Sequence, residues 1–167
     1  MFKKVLVAAL VALPMCLQAQ SLKFGVLNPS EIVQVMPEYA TAQNTLKAAS
    51  DKYEAQAKTL QDEYNKKLGE LETLDKNKAD QAAIEAKYNE IQDLQQRMQT
   101  FQQTASKDMQ QQQETLMAPI QQKLINAIQA VGGAGGYAGI LDGSVLLYKG
   151  AQLEDVATKV KAQLGIK

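Results

Sequence analysis

The chain has 167 residues, enough for one domain, with 18 basic and 18 acidic residues, one cysteine and no histidine. The balanced charge excludes a dedicated nucleic-acid binder, and the lack of histidine removes the usual zinc ligands and nucleophile pairs. A glycine-rich phosphate loop ending in Lys-Ser/Thr is also missing, which argues against ATP-driven action.

Met1-Phe2-Lys3-Lys4 is a short basic start, and Val5 to Leu13 is an unbroken apolar run closed by Pro14. Leu17-Gln18-Ala19 then leads to a small residue at a cut. The layout is that of a secretory signal over residues 1–19, too short to span a membrane. It places the mature start near Gln20 and predicts export from the cytoplasm. Cleavage removes Lys3, Lys4 and Cys16, which leaves a net charge near −2 and no thiol for a disulfide.

The first mature zone, residues 20–37, belongs to the body. Leu22 to Leu27 reads as a short strand. Asn28 suits an N-cap, Pro29 the first helical position, and Glu31 completes a capping-box spacing. A short helix is expected to about Val35, ended by Met36-Pro37.

Residues 38–118 are almost all helix formers. Tyr39, Leu46, Tyr53 and Leu60 lie seven apart, and Tyr64, Leu68, Leu71 and Leu74 extend the stripe. Ile84, Ile91, Met98 and Ala105 repeat that spacing in a second segment, with Tyr88, Leu94, Phe101 and Met109 between them. These narrow seams predict two helices packed as a coiled-coil hairpin. Asp75-Lys76-Asn77-Lys78, without an apolar residue, marks the tip near 75–78. Glutamine is abundant from Gln92 to Gln122 while charges are few, which fits either a solvated face or a hydrogen-bonding wall. Gly69 and Pro119 are the candidate hinges. Pro119 removes a backbone donor, so it either kinks the second helix or restarts it.

Residues 119–167 return to the body. Gly132, Gly133, Gly135 and Gly136 are expected to end the helix. Tyr137–Leu141 and Ser144–Lys149 flank Asp142-Gly143, which predicts a two-residue β-hairpin. Leu153 to Leu164 then reads as an amphipathic helix. The fold class is α+β: a small β-rich oligomerisation body carrying a long α-helical hairpin arm. The body is too small for a secure core, and its strands are apolar on both faces. Phe24, Val26, Ile140, Leu141, Val145, Leu147 and Tyr148 are therefore the candidate contacts between copies. The copy number does not follow from packing need.

Lys23-Phe24-Gly25-Val26-Leu27-Asn28, the hairpin, the block Gly136 to Tyr148, and Asp155-Val156-Ala157-Thr158-Lys159-Val160 resemble the Skp (OmpH-like) periplasmic chaperones over essentially the whole mature chain. The resemblance implies a jellyfish-like homotrimer that holds unfolded outer-membrane β-barrel proteins between its arms without ATP or cofactor. It supplies no catalytic residues. The best-known members are strongly basic, whereas this chain is near neutral, which weakens the case for lipopolysaccharide or membrane-surface contact.

Tyr53, Tyr64, Tyr88, Met98, Phe101 and Met109 are the candidate client-facing residues, although packing inside the hairpin is the simpler role for each. The alternative function is a non-chaperone coiled-coil spacer or adaptor of the cell envelope, docking a partner at its tip. Acid–base side chains are present, but no constellation points to an enzyme.

Overall fold

The computed structural model describes residues 22–166, so the expected signal segment lies outside the described residues. The elements are β1 (Phe24–Leu27), α1 (Pro29–Gln34), α2 (Pro37–Lys76), α3 (Gln81–Gly135), β2 (Gly139–Asp142), a 3-10 turn (Gly143–Val145), β3 (Leu153–Asp155) and α4 (Ala157–Gln163).

The first helix starts where its capping residues direct. The Asn28 side chain accepts from the Ser30 backbone N–H at 3.1 Å and donates to the Glu31 carboxylate at 2.9 Å. Pro37 then opens α2 from an extended Met36, because its fixed φ suits a first helical turn. The 40 residues of α2 rise about 60 Å. At the tip, Asn77 ends α2, Lys78 turns back with a φ of 51°, and Asp80 leads into α3.

The 55-residue α3 passes through Pro119 without interruption. Of the two readings of Pro119, a restart is therefore excluded. The lost hydrogen bond is outweighed by packing on either side, where Ile120, Leu124, Ala127 and Val131 enter the core and Leu116 lies against it. Nor do Gly132 and Gly133 stop the helix. It ends at Gly136, whose left-handed φ of 63° lets its N–H return to the carbonyls of Gly132 and Gly133.

The sheet has the order β2-β1-β3, with both outer strands parallel to β1. Phe24 pairs with Gly139 on one side and with Leu153 on the other. The expected β-hairpin around Asp142-Gly143 does not form. The Asp142 carboxylate accepts from the Ser144 N–H at 2.8 Å and from its hydroxyl at 2.6 Å, which folds residues 143–145 into a 3-10 turn. Gly143 also lacks the positive φ that the favoured hairpin turn needs. β1 already holds the inner edge of β2, so the chain crosses to the far edge of β1 and pairs there as β3. The last helix is correspondingly shorter than expected. Leu153 and Glu154 are spent on β3, and Asp155 accepts from the Ala157 N–H at 2.9 Å to start α4.

Ile32, Met36, Val156 and Val160 are the largest fully buried side chains of the body. Each contributes roughly 1.5–3 kcal/mol of apolar burial. A Cβ on Gly25 would sit 3.0 Å from Val156 Cγ1 and 3.1 Å from Ile140 Cγ1, so the central strand lies tight against both. Outside this core, the Tyr137 ring has Lys23 Nζ 4.2 Å and Lys159 Nζ 5.5 Å from its centroid. Glu154 pairs with both lysines. The cluster fastens β1, β3, α4 and the segment after α3 together.

Tyr137 also lies across Gly135, where a Cβ would be 2.2 Å from the ring Cε2. Gly135→Ala is expected to cost about 1–3 kcal/mol in denaturant unfolding. The added cost should largely vanish in a Tyr137→Ala background, because the clashing ring is gone.

Candidate functional site

The arm offers the largest surface and one narrow seam. Leu94 is 1% exposed and Ile91 is also buried, both in the tip half. Ala42 and Ile120 close the base. Between these ends the layers are only half-buried and are bridged by polar groups.

The Tyr53 hydroxyl donates to the Asp108 carboxylate, which also accepts from Gln112 Nε2 at 2.8 Å. The Tyr53 and Phe101 rings lie 6.0 Å apart, tilted by 58°. Farther out, Gln95 Nε2 donates to the Tyr64 hydroxyl at 2.9 Å. The hydrogen bonds from Tyr53 and then Gln112 lower the Asp108 carboxyl below its ordinary range, and the bond to Asp108 raises the Tyr53 phenol. Leu60 and Phe101 form a wall between two grooves in the middle of the arm. One runs past Gln56, Thr59, Arg97, Thr100 and Thr104; the other runs past Ala57, Gln61 and Met98.

Nearer the tip, Lys67 and Lys87 each reach Glu90 at 2.8 Å, and Lys87 also reaches Glu70 at 3.0 Å. Hydrogen bonds from Lys67 and then Lys87 hold the Glu90 carboxyl down at about 2. At the base, Lys123 pairs with Glu38 and lowers its carboxyl. The second carboxylate oxygen of Glu38 is buried without a hydrogen-bond partner. It belongs to a cleft that includes Thr115 and Pro119, where proline leaves the Thr115 carbonyl without its helical donor.

Five of the six client-facing candidates therefore lie half-buried between the helices: Tyr53, Tyr64, Met98, Phe101 and Met109. Tyr88 is exposed. Among the contact candidates of the body, Val26 is only 3% exposed, already covered by its own chain, and Phe24 and Ile140 are half-buried. Leu141 is exposed at the β2 edge, and Val145, Leu147 and Tyr148 stand out at 75%, 106% and 82%. The Lys67–Glu90–Lys87–Glu70 network escapes a reading of single helices. Reflecting the sequence about Lys78 and Ala79 does pair Lys67 with Glu90 and Glu70 with Lys87.

Among the described residues, no group of acidic, histidine or cysteine side chains could hold a metal ion. No described helix is long and apolar enough to cross a membrane. In sequence, the OmpH-like outer membrane protein family matches residues 23–164. The chain belongs to the OmpH-like family. Its fold also matches a crystal structure from Caulobacter crescentus CB15 described as a candidate OmpH-like outer membrane chaperone. The TM-score is 0.75 at 17% identity, over 86% of this chain and 83% of the other. No curated protein matches the sequence.

The tip network of this OmpH-like arm should titrate with acid. The Glu90 carboxyl falls from an ordinary 4.5 to about 2, so the folded state holds its proton more weakly than the unfolded one. Its contribution is present above the unfolded value and is lost as pH falls from about 4.5 to about 2. Thermal melts followed by circular dichroism should show a shallower acid slope in that window for Glu90→Gln than for the parent chain. The variant should also be less stable at neutral pH.

Proposed function

We propose that this OmpH-like chain is an ATP-independent holdase chaperone of the periplasm, which keeps unfolded outer-membrane β-barrel proteins from aggregating. The observation that carries the reading is the family match over residues 23–164, on a chain whose greatest surface is a two-helix arm. The description of the Caulobacter structure as a candidate outer membrane chaperone supports it. Barrel proteins awaiting insertion expose alternating apolar residues that aggregate when free. An enclosed space with many weak contacts suppresses this while leaving the client mobile.

Such a space needs several arms, and we propose a homotrimer. The free outer edge of β2 and the exposed Leu141, Val145, Leu147 and Tyr148 are the surfaces that a neighbouring copy would cover. Phe24 and Ile140, half-buried in one copy, lie behind them. The balanced charge supports neither lipopolysaccharide nor a membrane surface as a partner.

A urea-unfolded barrel protein diluted into buffer with the purified chain, without ATP, is expected to stay in solution, with light scattering falling to a floor at one trimer per client. Unchanged scattering from a folded sample would overturn the chaperone reading and favour the envelope spacer or adaptor.

Arm bending should widen the range of clients, with Gly69 and Pro119 as the proposed hinges. Nothing lies within 4 Å of a Cβ built on Gly69, so the glycine is not there to make room. Gly69→Ala is expected to stabilise the arm by about 1 kcal/mol. If both sites bend, Gly69→Ala and Pro119→Ala should narrow the client sizes protected in the same assay. A size range equal to that of the parent removes the substituted site from this role.

A further inference from the structure

Gln99, Gln103, Ser106, Gln110, Gln113 and Met117 follow one another along α3 at alternating steps of four and three. At 3.6 residues per turn they form one stripe, on a flank of α3 about a third of a turn round from the seam to α2. The first five are exposed and Met117 is half-buried. The stripe carries no charge over about 27 Å. Lys107 and Glu114 border one edge of it, where Gln110 reaches the Glu114 carboxylate at 3.4 Å. The solvated side of α2 is of another kind, with i,i+4 ion pairs such as Lys47–Asp51 and Lys58–Asp62. At its body end the stripe runs into a groove formed by Val33, Tyr39, Met117, Leu124 and Ile125, with Ile125 exposed.

We propose that this stripe is the seat of an unfolded polypeptide segment, an inference that rests on the chaperone reading above. A glutamine side chain both donates and accepts, so a row of them satisfies backbone N–H and C=O groups in either chain direction and at any register. A neutral row complements the neutral backbone and costs nothing in desolvated charge. Its length matches about eight residues of extended chain. The groove at its end takes the apolar side chains that such a segment carries. Because each contact competes with water, the segment is held weakly along the row and stays mobile.

The test places charge on the stripe of the full mature chain. The triple variant Gln103→Glu, Gln110→Glu, Gln113→Glu and its lysine counterpart are compared with Gln43→Glu, Gln81→Glu, Gln111→Glu, which adds the same charge at exposed positions elsewhere on the arm. With a urea-unfolded barrel protein as probe, either stripe variant should raise the chain concentration for half-suppression of scattering by about tenfold or more, because the charges must be desolvated at the contact. The comparison variant should match the parent. A photo-crosslinker at position 110 should capture the client, and one at position 111 should not. If the parent protects the client and the stripe variants protect it equally well, the stripe proposal falls while the chaperone reading stands. Capture of a second copy at position 110 without client would overturn it in favour of an interface between arms. If the parent itself gives no protection, both readings fail.

Discussion

Ile120, Leu124, Ala127 and Val131 form the stripe through which α3 enters the body, and the placement of everything else depends on that burial. The same helix is one wall of the arm and the centre of the body's core. Its outer turns are therefore aimed by packing at its inner turns, across Pro119. α1, Met36 and the first turns of α2 close on this stripe from one side, and Val156 and Val160 from the other. The sheet is then a lid of three short strands, whose central strand Gly25 brings close against Val156. A body of this size gains little from its strands alone. It is stable because a helix much longer than the body needs runs through it.

The arm answers a different constraint. The 40-residue α2, about 60 Å long, shares one seam with the outer part of the longer α3, and a seam of purely small and aliphatic residues could slide by a turn. Polar layers set the register here. Tyr53 meets Asp108, Tyr64 meets Gln95, and the two lysine–glutamate pairs meet near the tip. Each works in one alignment only, which trades some stability for a fixed pairing of layers. The middle of the arm stays thin as a result, with Leu60 and Phe101 as the wall between open grooves.

The arm was readable in the sequence because its seven-residue spacing is local, and so were the tip and the Asn28 cap. The family was readable because its most distinctive residues lie in unbroken blocks. The sheet was not. Asp142-Gly143 between apolar runs is a strong hairpin signal, but whether it forms depends on what already holds the edge of β2. That partner, β1, is more than a hundred residues earlier in the chain. The same competition drew Leu153 and Glu154 out of the final helix. For the contact candidates, alternation marks which residues are apolar but not which are covered by their own chain. Val26 is buried within the fold, whereas Leu147 and Tyr148 are left outside. The polar layers of the arm were hidden because they become visible only after the hairpin is folded back on itself.

The parallel pairing of β1 with both β2 and β3 also fixes the order in which the molecule can be built. The strand that centres the sheet is made first, and its two partners are among the last residues made. Its edges can be satisfied only after the intervening chain has brought the ends together. The helices zip from local contacts on a microsecond scale, and their hairpin shortens the gap that the strands would otherwise have to close by diffusion. The arm is thus the folding jig for the body, and a nascent copy would carry its first strand unpaired until β2 had followed α3.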